Sequence, residues 1–270
     1  MPKTKKILIT GAGSGLGEGT AIGLAQAGHK VIAGVHIYPQ ATALREKAKE
    51  LGIEDNLQVE RLDVLDPWDI NNSLRWDIDI LVNNAGIGET GPIFETPIEL
   101  VHKNFETNYF APLNLSQKFI AKFINEGKKG KVVFLSSMGG LFLPTHFGTY
   151  CSTKHALEAL AESLQQEVKK YGIQIQTINP GAFLTGFNET MLETAFRWLD
   201  DDKNFTKRAD LRAEIDKQID SPDWKLVPQD MIDEMVRVIP AETGKFRNVF
   251  PQFVEDMLKE SQAKAWTNQI

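Results

Sequence analysis

The sequence predicts an α/β protein, one doubly wound domain over residues 1–270 with a central, mostly parallel, seven-stranded sheet flanked by helices. Three observations predict it. Short apolar runs rich in Val and Ile alternate with longer amphipathic stretches, the pattern of strands buried on both faces and joined by helical crossovers. A glycine-rich turn, Thr10–Gly17, links the first apolar run to the first amphipathic stretch. No repeat or low-complexity linker divides the 270 residues, of which 42% are hydrophobic.

Taken in order, Ile7–Thr10 reads as a strand and Gly15–Gly28 as a helix. Lys30–Val35 is the second strand, followed by a helix near Ala41–Leu51, and Leu57–Leu62 is the third strand. A short helical stretch around Trp68–Trp76 leads to a fourth strand, Asp79–Val82. Helices then cover Pro97–Thr107 and Asn108–Asn125, with strand five at Lys131–Ser136. A long helix spans Tyr150–Tyr171, and Ile173–Ile178 is strand six. Beyond Pro180 the rhythm breaks into a charge-rich insertion, residues 183–227, which contains Trp198 and Trp224. Connections of this length usually form lids or binding loops. Pro228–Ile239 reads as another helix, Phe246–Phe250 as the last strand and Phe253–Trp266 as a terminal helix, within an additional tail, Phe253–Ile270.

Composition excludes several classes. The formal net charge is −6, which disfavours a nucleic-acid partner, because phosphate binding needs clustered Lys and Arg. No apolar run approaches the roughly 18 residues that span a bilayer, and Ile7–Ile9 is too short for a signal peptide. The single cysteine, Cys151, forms no internal disulfide. A cytoplasmic location is therefore expected. No cluster of residues suggests a metal site.

Gly11, Gly13, Ser14, Gly15, Leu16 and Gly17 lie between a strand and a helix. Glycines there let the backbone approach a pyrophosphate, and free amides at the helix start face it. Taken singly, the segment also reads as an ordinary flexible turn. The end of the second strand, Val35-His36, carries no acid to bind an adenosine ribose hydroxyl. A 2′-phosphate is not repelled there, so NADP(H) is favoured over NAD(H). His36 either donates to that phosphate or is a plain exposed residue.

Tyr150 and Lys154 are four apart and share a helix face. An adjacent ammonium favours a phenolate and lowers the tyrosine's pKa. Alone, such a pair is more often two surface neighbours. Ser137 ends the fifth strand, and Asn84, Ala85 and Gly86 end the fourth. In a doubly wound sheet ligands bind at this edge. Asn108 sits within a helical run that Asn disfavours; it either caps a junction between two helices or has a specific task.

Thr10–Gly17, Asn83–Gly86, Asn108, Ser137, Tyr150-x-x-x-Lys154 and Asn179-Pro180-Gly181 with Thr185 together resemble the classical short-chain dehydrogenase/reductase family. The resemblance runs from Lys5 to Thr185. It implies a single Rossmann-type domain and hydride transfer between a nicotinamide cofactor and a carbonyl or alcohol. By that resemblance Tyr150 is the general acid or base, Lys154 lowers its pKa and binds the nicotinamide ribose, and Ser137 polarises the substrate. Asn108 holds a water in a proton relay. Asp63 and Val64 meet the adenine, and Asn84, Ala85 and Gly86 line the adenosine ribose. Pro180, Gly181, Phe183 and Thr185 hold the nicotinamide end. Ser137 also reads as an ordinary strand-end hydroxyl, and Asp63 as a cap. The segment between Asp63 and Asn83 is shorter than the family's habit.

Leu141, Phe142, Leu143, Phe147, Phe183, Phe187, Met191 and Trp198 either line a pocket for an apolar carbonyl or alcohol or are core and oligomer contacts. His146 is a possible polar contact there. Phe119, Phe123, Leu157, Leu160 and Leu164 give apolar helix faces for the homodimer or homotetramer the resemblance implies, or pack on the sheet. Two other functions stay open: an isomerase or dehydratase using the same tyrosine, and a nucleotide-binding regulatory or scaffold protein.

Overall fold

The computed structural model describes residues 4–220 and 225–267. Trp224 and the tail residues 268–270 lie outside the described residues.

In chain order the strands are β1 (Lys6–Thr10), β2 (Lys30–Val35), β3 (Leu57–Arg61), β4 (Ile80–Asn83), β5 (Lys131–Leu135), β6 (Gln174–Pro180) and β7 (Arg247–Phe250). The helices are α1 (Gly15–Gln26), α2 (Tyr38–Glu50), α3 (Pro67–Ser73), α4 (Ile98–Phe105), α5 (Ala111–Asn125), α6 (Gly148–Val168), α7 (Phe187–Leu192), α8 (Arg208–Ile219), α9 (Pro228–Val238) and α10 (Gln252–Ala265). The strands form one sheet in the order β3-β2-β1-β4-β5-β6-β7. All its pairings are parallel, a stricter arrangement than the mostly parallel sheet expected.

Alternation along each strand feeds two cores. In β1, Ile7 and Ile9 point to one face, where they pack with Leu24, Met231 and Met235 of α1 and α9. Leu8 points to the other and joins Phe119, Phe123, Leu157 and Leu164 of α5 and α6. Phe119 and Phe123 have no exposed surface, and Leu157 and Leu164 are buried. These four are therefore core residues, which removes them as an oligomer face.

The order of connection reverses between β1 and β4. Strands on either side lead away in opposite directions, which opens a crevice above their carboxyl ends. Thr10 holds this edge together. Its Oγ1 accepts from the Asn84 and Ala85 amides, both at 3.0 Å. The Asn84 side chain returns the tie, donating to the Thr10 and Gly11 carbonyls at 2.9 and 3.0 Å.

Two element boundaries differ instructively. α2 starts at Tyr38, with Pro39 in its first turn, where proline's fixed φ suits a helix start. Between α4 and α5 there is no break: a π turn, Glu106–Phe110, carries one into the other. The terminal helix is as the sequence places it: α10 buries Val254 and Leu258. The short helix after β3 is as expected: α3 has seven residues, capped by the Asp66 side chain accepting from Trp68 N at 2.9 Å.

Within the insertion, an isolated parallel bridge joins Phe183 to Leu226. α7 and α8 supply Met191, Leu192, Leu211 and Ile215 to a third apolar cluster shared with Phe147, Tyr150 and Cys151. The insertion therefore packs directly over the start of α6. No helix among the described residues is long and apolar enough to cross a membrane.

Candidate active site

The carboxyl ends of β4, β5 and β6 bring Gly86, Ser137 and Pro180 to one edge, and the first turns of α6 add Tyr150 and Lys154. α6 begins at Gly148, two residues earlier than expected, so Tyr150 lies within its first turn. Tyr150 and Lys154 share a helix face, with the Lys154 ammonium 5.7 Å from the centre of the Tyr150 ring. Both are buried.

Burial governs their protonation. It pushes the Tyr150 phenol up, partly offset by a hydrogen bond with Ser137. Burial likewise pushes Lys154 down, to about 8, with the nearby Glu158 carboxylate acting in the opposite sense. The expected lowering of the tyrosine by its lysine does not appear here: desolvation of the phenolate dominates, and the group that opposes it is Ser137.

Ser137 is extended and caps the short 3₁₀ turn Met138–Gly140, its Oγ accepting from Gly139 N at 3.0 Å. The Lys154 ammonium donates to the Leu135 carbonyl at 2.8 Å. Asn108 lies in the π turn, which is why an Asn is tolerated in a helical run: such turns re-aim a side chain. Its Oδ1 accepts from Ile87 N at 2.9 Å, and its Nδ2 donates to Ile87 O at 2.8 Å and to Thr153 Oγ1 at 3.0 Å. Asn108 is thus a bracket between β4's exit and α6, not a cap between two helices. A Cβ on Gly86 would lie 3.3 Å from Asn108 Oδ1 and 3.8 Å from Lys154 Nζ, so the two groups border one small space.

The residues suit a dinucleotide. Gly11 has φ +64°, and a Cβ there would stand 2.7 Å from Ala85 Cα. Only glycine lets the turn lie this close to β4's exit. Ser14 precedes α1 in extended conformation and makes no side-chain cap, so the first-turn amides of α1 are open to an anion. Thr185 lies over Gly15, with its Cβ 3.5 Å from where a side chain there would begin. The insertion thus meets the cradle on its open side.

Other expected contacts fall elsewhere. Gly13 faces the Gln40 side chain, whose Oε1 accepts from the His36 and Ile37 amides at 3.2 and 3.3 Å. His36 is exposed, and its Nε2 lies 3.4 Å from Asp63 Oδ2. The other oxygen of Asp63 accepts from Leu65 N at 3.0 Å, so Asp63 does act as a local cap. Asn84's amide is engaged by Thr10 and Gly11, which leaves it shaping the turn. The Phe183 ring is buried and stacked on Phe250, 6.2 Å between centres and 9° between planes. It is a core residue, and its side chain is unavailable to a cofactor.

A cavity of about 40 Å³ opens beside Tyr150. Phe142, Phe147 and Met191 line it as expected, together with Ser137, Met138, Pro144, Cys151, Ala182 and Asn188. Leu143 points to solvent, and Phe187 leans on the Tyr150 ring at 5.8 Å. Trp198 donates to the buried Glu89 carboxylate at 3.1 Å. His146 turns to Glu214 of α8, Nε2 to Oε2 2.5 Å, rather than to the cavity. Sequence reasoning missed Arg61, which the sheet register places beside Val35. Arg61 lies 2.7 Å from Asp69 and 3.5 Å from Asp66.

Comparison with known proteins agrees with this geometry. The family model described as short chain dehydrogenase matches residues 5–195. The chain is 36% identical over 194 residues to the uncharacterized oxidoreductase YusZ of Bacillus subtilis, covering 70% of this chain and 69% of that protein. It superposes on a short-chain dehydrogenase from Streptomyces avermitilis with a TM-score of 0.79 at 26% identity, covering 99% and 95% of the two chains. A short-chain dehydrogenase from Sphingobium yanoikuyae in complex with NADPH shares the fold, with a TM-score of 0.73 at 22% identity and coverage of 100% and 97%. The chain is therefore an oxidoreductase of the short-chain dehydrogenase family.

Proposed function

We propose that the chain is an NAD(P)-dependent enzyme that interconverts a carbonyl and its alcohol on an apolar small molecule, with Tyr150 as general acid or base. The observation that carries this reading is the buried Tyr150–Lys154 pair, with Tyr150 and Ser137 lining an apolar cavity beside a glycine cradle fit for a dinucleotide. The cofactor, when bound, supplies or accepts the hydride.

The chain's own residues do the rest. Gly11, Gly15, Leu16 and Gly17 present the α1 amides to the pyrophosphate. Asp63 and Val64 border the adenine side, Ala85 and Gly86 the ribose, and Pro180, Gly181 and Thr185 the nicotinamide side. Ser137 donates to the substrate oxygen. Tyr150, held protonated by burial, gives its proton to that oxygen as negative charge grows on it. Lys154 then faces the phenolate that remains, and Asn108 keeps the ammonium's surroundings in register. For the reverse reaction Tyr150 must start as phenolate, the form that burial disfavours.

NADP(H) remains the favoured cofactor. Val35 and His36 supply no acid at the end of β2, and the Arg61 guanidinium lies beside Val35 in the sheet register. The 40 Å³ cavity holds only a few waters. In the substrate-binding insertion, residues 183–227, it is α7 and α8 that would move outward with Phe142 and Pro144 to admit a ketone. Exposed Ile98 on α4, Phe110 on the π turn and Ile124 on α5 are among the apolar groups available for pairing as a homodimer or homotetramer. A cytoplasmic setting suits this chemistry.

The test is nicotinamide absorbance during a screen of apolar ketones and alcohols, run with NADPH and NADH and their oxidised forms. Net turnover with tighter binding of the phosphorylated cofactor is expected. Product without net cofactor turnover, or binding with no product from any carbonyl or alcohol, would overturn it.

A further inference from the structure

The Lys154 ammonium is buried, yet it forms no salt bridge among the described residues; its one hydrogen bond goes to a neutral carbonyl. A buried charge without a counter-charge is costly. One turn further along α6, on the same face, lies Glu158, a carboxylate with only 4% of its surface exposed. Glu158 is fixed from two sides. Asn179 of β6 donates to its Oε1 at 2.6 Å and, from the same nitrogen, to the Ser137 carbonyl at 3.1 Å. The Thr177 hydroxyl locks that Asn179 by donating to its Oδ1 at 3.0 Å. Arg247 of β7 donates from Nε to Glu158 Oε2 at 3.0 Å and reaches outward to Glu162 at 2.7 Å.

We propose that Glu158 is a positioning residue for the Tyr150–Lys154 pair: it is the buried counter-charge of the Lys154 ammonium, and Arg247 sets how much of that charge the pair feels. This rests on the proposed role of Tyr150. The other titratable groups facing the cluster are Cys151, His155 and Glu162, all on α6. β5 and β6 present only uncharged groups to it, namely Leu135 O, Ser137, Thr177 and Asn179.

The direction follows from charge alone. Tyr150 and Lys154 titrate as a coupled pair, and the first proton leaves a positively charged state for a neutral one. Removing the Glu158 charge favours the neutral state, whichever of the two side chains gives up the proton. Removing the Arg247 charge favours the positive state. Because Glu158 lies nearer Lys154 than Tyr150 along α6, its loss also disfavours the phenolate–ammonium arrangement within the neutral state.

The experiment is the pH profile of kcat/KM and kcat for the full chain with Glu158→Gln, Arg247→Gln and the double variant, beside Tyr150→Phe. Glu158→Gln is expected to move the titration limb down by about one pH unit and lower kcat several-fold. Arg247→Gln is expected to move it up by about half a unit, less because Arg247 is partly exposed. The double variant returns toward the parent. A merely structural Glu158 lowers the melting temperature in all three and leaves the limb in place; that result overturns the proposal. Should Glu158→Gln fail to fold, an unshifted or downward-shifted limb in Arg247→Gln overturns it equally. Full activity in Tyr150→Phe instead strikes the underlying role of Tyr150, which separates the two failures.

Discussion

Gly11→Ala is the sharpest structural perturbation of the cofactor cradle. At φ +64° a side chain carries strain of roughly 1–2 kcal/mol. The new Cβ would also lie 2.7 Å from Ala85 Cα and 3.0 Å from Ala85 N, an overpacking worth roughly 1–3 kcal/mol. Neither side yields easily, because Ala85 N is bound to Thr10 Oγ1 and Gly11 O to Asn84 Nδ2. The sum, about 2–5 kcal/mol, corresponds to a melting temperature lower by roughly 5–15 °C for a chain of this size. Gly28→Ala is the control: its φ is +85°, but nothing lies within 4 Å of the added carbon. It should show the strain alone, a fall of roughly 2–6 °C. Differential scanning calorimetry gives both numbers, and fluorescence titration of the cofactor should show at least about tenfold weaker binding in Gly11→Ala only. Equal falls in the two variants, with cofactor affinity unchanged in both, would refute the reasoning.

Thr10→Val leaves the Asn84 and Ala85 amides without their acceptor, and chemical denaturation should show a loss of about 2–4 kcal/mol. Lys131 is buried and donates to the carbonyls that end α9, with its pKa lowered by burial to about 8. A lysine whose folded pKa lies below its unfolded value of about 10.5 binds its proton less readily when folded. Its penalty, about 3 kcal/mol, is therefore present below pH 8 and disappears as the pH rises toward 10.5. Denaturation midpoints should climb across that window in the parent and more weakly in Lys131→Met. Trp198→Phe removes the donor to buried Glu89; a loss of about 1–3 kcal/mol with a raised KM is expected, because the contact ties the insertion to the β4–α4 loop.

The sheet was legible because parallel strands buried on both faces write themselves as unbroken apolar runs: β1, β2 and β5 read directly as Ile7–Thr10, Lys30–Val35 and Lys131–Ser136. The start of α2 was not, since Tyr38-Pro39-Gln40 carries little periodic apolarity before Ala41. The π turn at Asn108 was visible only as an Asn out of place. Ser137, Tyr150 and Lys154 were found because their spacing and strand-end setting are local. Arg61 and Arg247 were not, because their places depend on the register of β2 with β3 and of β6 with β7. Glu158 carried a usable signal: it lies one helical turn past Lys154 on a face already assigned to chemistry. In the insertion and in the loop after Ser137, apolarity alone did not show which residues are buried or against what. Phe183 thus went to the core, Leu143 to solvent and Trp198 to Glu89, while Met138 and Asn188 line the cavity.

The central claim is that the Tyr150 hydroxyl exchanges the proton with the substrate oxygen. Its most direct test is steady-state turnover in Tyr150→Phe, read beside a cofactor titration of the same preparation. The expected result is a kcat lower by about 10²–10⁴-fold, with cofactor affinity within about twofold of the parent. A Tyr150→Phe enzyme that turns over at the parent's rate would contradict the account.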